Sequence, residues 1–265
     1  MSNITKLIDH TNLKPDASEV EIKTLASEAK EHEFNSICIR PEWLEQFTPE
    51  YRCSAVIDFP KAAIKIESHE DIQMAKKIIG NSSLEVKTAE AKTALEKGAL
   101  ELDPVIGIGD LFKVEEELRA YIELMHEADK ELWLKPIFSC ELLSYEEINQ
   151  TIESFCREVS RHLCLNPESK LKFAYKNSTG FIKQETEIVD LNTTSEKLIG
   201  FIAKKLNEND PSGLIKIKAA GGIRDYPTAM RIMTSSQGRL SHIGASAGIE
   251  IKKGAQKSSH VLSIQ

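Results

Sequence analysis

The chain has 265 residues, a net charge of −7 and a hydrophobic fraction of 41%, with aromatics at only 6%. That length suits one large domain with an aliphatic core, and the acidic, evenly alternating charge excludes nucleic acid as the main partner. No apolar run approaches the roughly 20 residues of a membrane span, the N-terminal MSNITKLIDHTNLKPD has no signal-peptide core, and five cysteines without a C-x-x-C spacing exclude a disulfide framework or a structural zinc site, so a cytoplasmic protein with reduced thiols is expected.

Residues 7–13 predict a first strand, and 18–32 a helix that Asp16 or Ser18 can cap. Strands follow at 36–39 and 53–57. Residues 62–83 read as an extra helix ending at Gly80-Asn81, an insertion or lid. A helix at 84–97 stops before Gly98, which suits a C-terminal cap. The pattern then alternates strictly: strand 100–106, helix 113–128, strand 132–138, helix 145–163 behind a Ser144 cap, strand 171–176 and helix 194–209. A PSG break at 211–213 precedes strand 214–219, helix 226–235 and strand 241–244. Strand–helix alternation implies parallel βαβ units, and eight strands favour a closed (β/α)8 barrel, a single domain over 1–265.

The C-terminal ends of barrel strands carry the chemistry in this architecture. Lys176 closes the run LKFAY, Lys218 lies in LIKIKAAGGIR, and Asp103 lies in LELDPVIGIG. Burying an ammonium is costly unless it is paired or loses its proton, and desolvation or a second nearby cation frees an amine as a nucleophile. Two lysines and an aspartate at one mouth would therefore make a Schiff-base site, with the carboxylate moving protons. Singly, each has a plainer reading: a strand-end lysine is usually a solvated rim residue, and a strand-end aspartate caps the next loop. Ala220-Gly221-Gly222-Ile223-Arg224 and Gly244-Ala245-Ser246 follow the seventh and eighth strands, where many barrels bind phosphate through backbone N–H groups. Ordinary turn glycines are the alternative.

Seven segments in order resemble the deoxyribose-phosphate aldolases: IDHTNLKP (8–15), ICIRP (37–41), IDFP (57–60, the family's "GFP" turn), ELDPVIGIG (101–109), KNSTGF (176–181), KAAGGIR (218–224) and GAS (244–246). The resemblance covers most of the chain. It implies reversible cleavage of 2-deoxy-D-ribose 5-phosphate to acetaldehyde and D-glyceraldehyde 3-phosphate, as in deoxynucleoside catabolism, without metal or organic cofactor. By position Lys176 would carry the imine, Lys218 would depress its pKa, and Asp103 would relay protons. Thr11, Cys38 and Lys135 would lie against substrate, although Cys38 also reads as a small buried hydrophobe. Gly180, Gly221, Gly222, Gly244 and Ser246 would surround the phosphate. The family often forms dimers, which leaves a homodimer open.

Departures accompany the match. Asn177 replaces the usual Thr, and Gly107 stands where the family often has Asn. Ser139-Cys140 replaces Glu-Thr, so a carboxylate expected at that strand end is missing. Two alternatives therefore stay open: a related Schiff-base aldolase acting on another phosphorylated aldehyde, and a non-catalytic barrel that only binds a sugar phosphate.

Overall fold

A computed structural model describes residues 4–48, 50–186 and 191–262, with side chains through residue 258. Ten strands appear in chain order: β1 (Ile8–Thr11), β2 (Ser36–Ile39), β3 (Cys53–Ile57), β4 (Ile64–Ile66), β5 (Glu101–Pro104), β6 (Trp133–Leu134), β7 (Lys172–Lys176), β8 (Ile182–Gln184), β9 (Ile215–Ala220) and β10 (Leu240–Ala245). The helices are α1 (Glu19–Glu31), α2 (Leu44–Phe47), α3 (His69–Ile78), α4 (Leu84–Glu96), α5 (Val114–His126), α6 (Tyr145–Leu165), α7 (Glu196–Asn209), α8 (Tyr226–Ser235) and α9 (Gly248–Leu262). Eight strands close a parallel barrel in the order β1-β10-β9-β7-β6-β5-β3-β2. The expected (β/α)8 architecture is the one observed.

The strands form where they do because both faces are covered. β2, β3 and β5 are buried at every position, as in a parallel sheet with helices outside and packed side chains within. Helix starts follow local chemistry. Ser18, Ser68 and Ser144 each accept a bond from a backbone N–H three residues on, and Glu21, Asp71 and Glu147 reciprocate. Ser18, rather than Asp16, is thus the first cap. Gly98 takes φ +93°, the left-handed turn its position required.

Three features differ from the sequence reading. The strand expected at 132–138 keeps regular pairing only at Trp133–Leu134. Pro136 has no N–H to donate, and beyond it the pairing shrinks to isolated bridges of Ile137 with Val105 and with Lys176. Residues 62–83 hold a short strand, β4, as well as helix α3. β4 pairs in parallel with β8, joining residues 64–66 to 182–184 outside the barrel. Helix α9 closes the outer ring after β10. Among the described residues no helix is long and apolar enough to cross a membrane.

Candidate active site

Register places the two lysines side by side. Lys176 is the last residue of β7 and pairs with Lys218 on the adjacent β9. Both side chains turn into the barrel, with Lys218 wholly buried and Lys176 reaching the surface of a cavity. The cavity encloses about 620 Å³ at the C-terminal ends of the strands. Asp103, from β5 across the barrel, meets both. Its Oδ2 lies 2.7 Å from Lys176 Nζ and 2.7 Å from Lys218 Nζ. Ser54 Oγ donates to the other oxygen at 2.9 Å and fixes the carboxylate plane.

Beneath them lies a network the sequence reading did not single out. Asp9 Oδ2 is 2.5 Å from Lys218 Nζ and 3.1 Å from Lys135 Nζ. Lys135 also pairs with Glu101 and with Asp103 Oδ1 at 3.2 Å. Asn35 and Ser36 each donate to Asp9 Oδ1 at 2.8 Å, and Arg52 from the lower rim pairs with Glu101. Ile137, not Lys135, is the residue bridged to Lys176, so Lys135 sits two residues towards the N-terminal end of the barrel. Its ammonium is fully buried and spent on this network, outside the cavity wall. The side chain expected against substrate thus braces the groups below.

Charge balance sets the two lysines apart. Asp9, Glu101 and Asp103 are matched by Lys135, Lys218 and Arg52, which leaves Lys176 as the surplus cation. Burial pulls the Lys176 pKa down; Asp103 opposes this, Lys218 reinforces it, and the net shift is downward. Burial would lower Lys218 as well, but Asp103 and Asp9 outweigh it and hold that ammonium well above the ordinary lysine value. Burial would raise Asp103, yet Lys135, Lys176 and Lys218 together hold it far below the usual carboxylate range. One amine is thus poised to be free, beside a permanent cation and a permanent anion. His242 is pushed down to about 4 by burial and contributes no charge at neutral pH. Asp9, Glu101 and His242 bring three ligand-type atoms within 4.8 Å of one another, but Lys135 is already bonded to two of the three residues.

The other expected residues fall into two groups. Thr11, Gly180, Gly221, Gly222, Gly244 and Ser246 all line the cavity. Gly221 and Gly222 have φ of +91° and +75°, and a Cβ on Gly221 would lie 2.8 Å from Ser178 Oγ, so this loop is held in a form that glycine adopts freely. Cys38 is fully buried beside Lys176 and Lys218 and does not line the cavity, as the small-hydrophobe reading has it.

No protein-family model matches the chain. Curated relatives do. The deoxyribose-phosphate aldolase of Clostridium tetani is 32% identical over 258 residues, covering 94% of this chain and 97% of that protein. That of Brevibacillus brevis is 30% identical over 260 residues, covering 96% and 97%.

The chain belongs to the deoxyribose-phosphate aldolase family.

Solved structures agree on the fold. The deoxyribose phosphate aldolase of Aeropyrum pernix superposes with a TM-score of 0.73 at 21% identity, over 96% of this chain and 92% of that one. "QR15, an Aldolase" gives a TM-score of 0.74 at 25% identity over 99% and 100%.

Several departures from the aldolase family's pattern have local explanations. The Asn177 amide donates to Ala220 O at 3.3 Å and accepts from Ala220 N–H at 3.0 Å, clamping the residue after Lys176 to the start of the Gly221-Gly222 loop. The same amide also donates to Thr194 Oγ1 at 2.7 Å, and a threonine, with a single O–H donor, could not make both donations. Gly107 faces Gly80, whose carbonyl oxygen would lie 2.8 Å from a Cβ at 107, so the 62–83 segment leaves room there only for glycine. Asp58, where the family turn has Gly, adopts φ +50°, and its carboxylate accepts from Ser82 N–H and Oγ at the end of the 62–83 segment. The missing carboxylate is present two residues on. Glu141 is buried on a single 3-10 turn and bonds to Ser178. The sequence held no sign of this, because a shift of two positions across an irregular turn cannot be read without coordinates.

Proposed function

We propose that this chain cleaves 2-deoxy-D-ribose 5-phosphate reversibly to acetaldehyde and D-glyceraldehyde 3-phosphate, through an imine on Lys176, as a class I aldolase. The observation that carries the reading is the single Asp103 oxygen lying 2.7 Å from both lysine nitrogens. The free Lys176 amine adds to the C1 aldehyde, and loss of water gives the iminium. The iminium withdraws electrons as the C2–C3 bond breaks and the C3 hydroxyl gives up its proton, releasing the phosphorylated aldehyde and leaving an enamine. Protonation at C2 and hydrolysis release acetaldehyde and restore the amine. Asp103 and Lys218 form the proton-holding pair beside the imine carbon. The permanent charge on Lys218 favours the amine form of Lys176 before the reaction. Gly221, Gly222, Gly244 and Ser246 offer backbone N–H groups to the phosphate, and Arg224, also on the cavity wall, adds charge.

Borohydride reduction in the presence of acetaldehyde, followed by peptide mass analysis, tests this. An N-ethyl group on Lys176, and none in a Lys176→Arg variant that also lacks turnover, is the expected result. Full activity with Lys176 unmodified sinks it. The cavity extends past Thr11 to Val20 and Thr24 of α1, which favours one further reading: acceptance of other aldehydes. A panel of phosphorylated and unphosphorylated acceptors separates the two. A homodimer remains the family-based proposal for assembly, and light scattering measures it.

A further inference from the structure

We infer that Glu141 is a positioning residue for the phosphate-side loops, acting through Ser178. It rests on the assignment of the Gly221-Gly222 turn to the substrate phosphate. Glu141 sits on a turn that is stitched to the end of the imine strand. Phe138 N–H donates to Lys176 O at 3.0 Å, and Cys140 N–H donates to Asn177 O at 2.8 Å. Ser139, between them, is held at φ +45°, a conformation non-glycine residues adopt at a cost. The turn thus delivers a buried carboxyl to one place. Ser178 Oγ donates to Glu141 Oε1 and accepts from Gly180 N–H at 2.8 Å. The same Oγ packs against Gly221. One side chain therefore couples the loop after Lys176 to the glycine turn after β9, and Glu141 sets where that side chain points.

Among the described residues the second carboxyl oxygen is buried and meets no donor from another residue. An ion left in that state is strongly disfavoured, and burial pushes the Glu141 pKa up to about 7. Lys176 of β7 is the cation that acts on it. Lys76 of α3, the helix packed on the same turn, is engaged with Glu147 of α6. The adjoining Cys140 thiol and Tyr175 hydroxyl face each other. The neutral acid accepts the serine hydroxyl without placing charge behind the phosphate loop. The carboxylate formed at higher pH opposes a dianion there.

The test compares parent, Glu141→Ala and Glu141→Gln. Glu141→Ala is expected to raise KM and the inhibition constant of inorganic phosphate together, each about tenfold, with kcat changed less than about threefold. Glu141→Gln retains an oxygen for Ser178 and is expected to restore both constants. It is also expected to lose the part of the parent's KM rise between pH 6 and 8.5 that titration of the substrate phosphate does not account for. Unchanged phosphate inhibition in Glu141→Ala, or a loss confined to kcat, overturns the inference. Should Glu141→Ala not fold, an identical KM–pH slope in Glu141→Gln and parent overturns it instead. Phosphate binding is also read by calorimetry without turnover, and borohydride trapping reads Lys176 separately, so the two assignments fail independently.

Discussion

The reactivity proposed for Lys176 comes from what surrounds it. Lys218 and Asp103 are both locked in their charged forms, and Lys176 is left to absorb any change in proton load. Activity therefore falls at low pH as Lys176 is protonated. Replacing the neighbouring cation moves that limb. In Lys218→Met, Asp103 acts on Lys176 unopposed and raises its pKa, so the acidic limb of kcat/KM shifts to higher pH, and loss of the proton-holding partner lowers kcat by about 100-fold. A pH–rate profile of the variant checks both; an unmoved limb means that Lys218 does not tune Lys176. Lys176, Lys218 and Asp103 were legible as candidates because strand-end position and the resemblance agreed. Asp9 and Glu101 lay inside quoted segments, yet nothing local distinguished them from other strand acids. Only barrel closure brings β1, β5, β6 and β9 together, and that closure makes partners of residues more than a hundred positions apart, such as Asp9 and Lys135.

At the scale of elements, hydrophobic runs and caps located seven of the barrel strands and six helices within a few residues. Ladders failed to be legible where they depend on what is opposite. Pro136 shortens β6, and the three-residue β4 and β8 carry no periodicity that a sequence could show. The 62–83 segment leaves a steric mark: Gly80, at φ +59°, presses on Ile106 while its carbonyl faces Gly107. Restoring the family residue with Gly107→Asn should destabilise the fold by about 1–3 kcal/mol, because backbone must shift to admit the Cβ. Chemical denaturation measures this, and a neutral outcome means that the loop 80–83 relaxes freely.

For the molecule as a whole, the barrel interior behaves as a buried electrolyte. The carboxyls of Asp9, Glu101 and Asp103 have depressed pKa values in the fold, so their contribution is present above the ordinary carboxylate values of 3.8–4.5 and is lost as pH falls through the folded values. Lys135 and Lys218 are raised, so theirs is complete below 10.5 and is lost as pH rises through the folded values. The contribution of these five groups should thus be level from about pH 5 to 10, with steep loss at the acid end. Asp9→Asn leaves two buried ammonium groups underpaired and should lower stability by about 3 kcal/mol across that plateau. Thermal melts over the pH range test both statements.

The small β4–β8 sheet has a bearing on descent and on engineering. It splices the 62–83 segment to the stretch that follows Lys176, and Phe59 packs edge-on against Phe181 at 4.9 Å beside it. A graft that exchanged only one of these segments would strand the other with an open hydrogen-bonding edge and an unfilled aromatic contact. Working chimeras with relatives must swap both at once, and the two stretches are expected to have been reshaped as a pair.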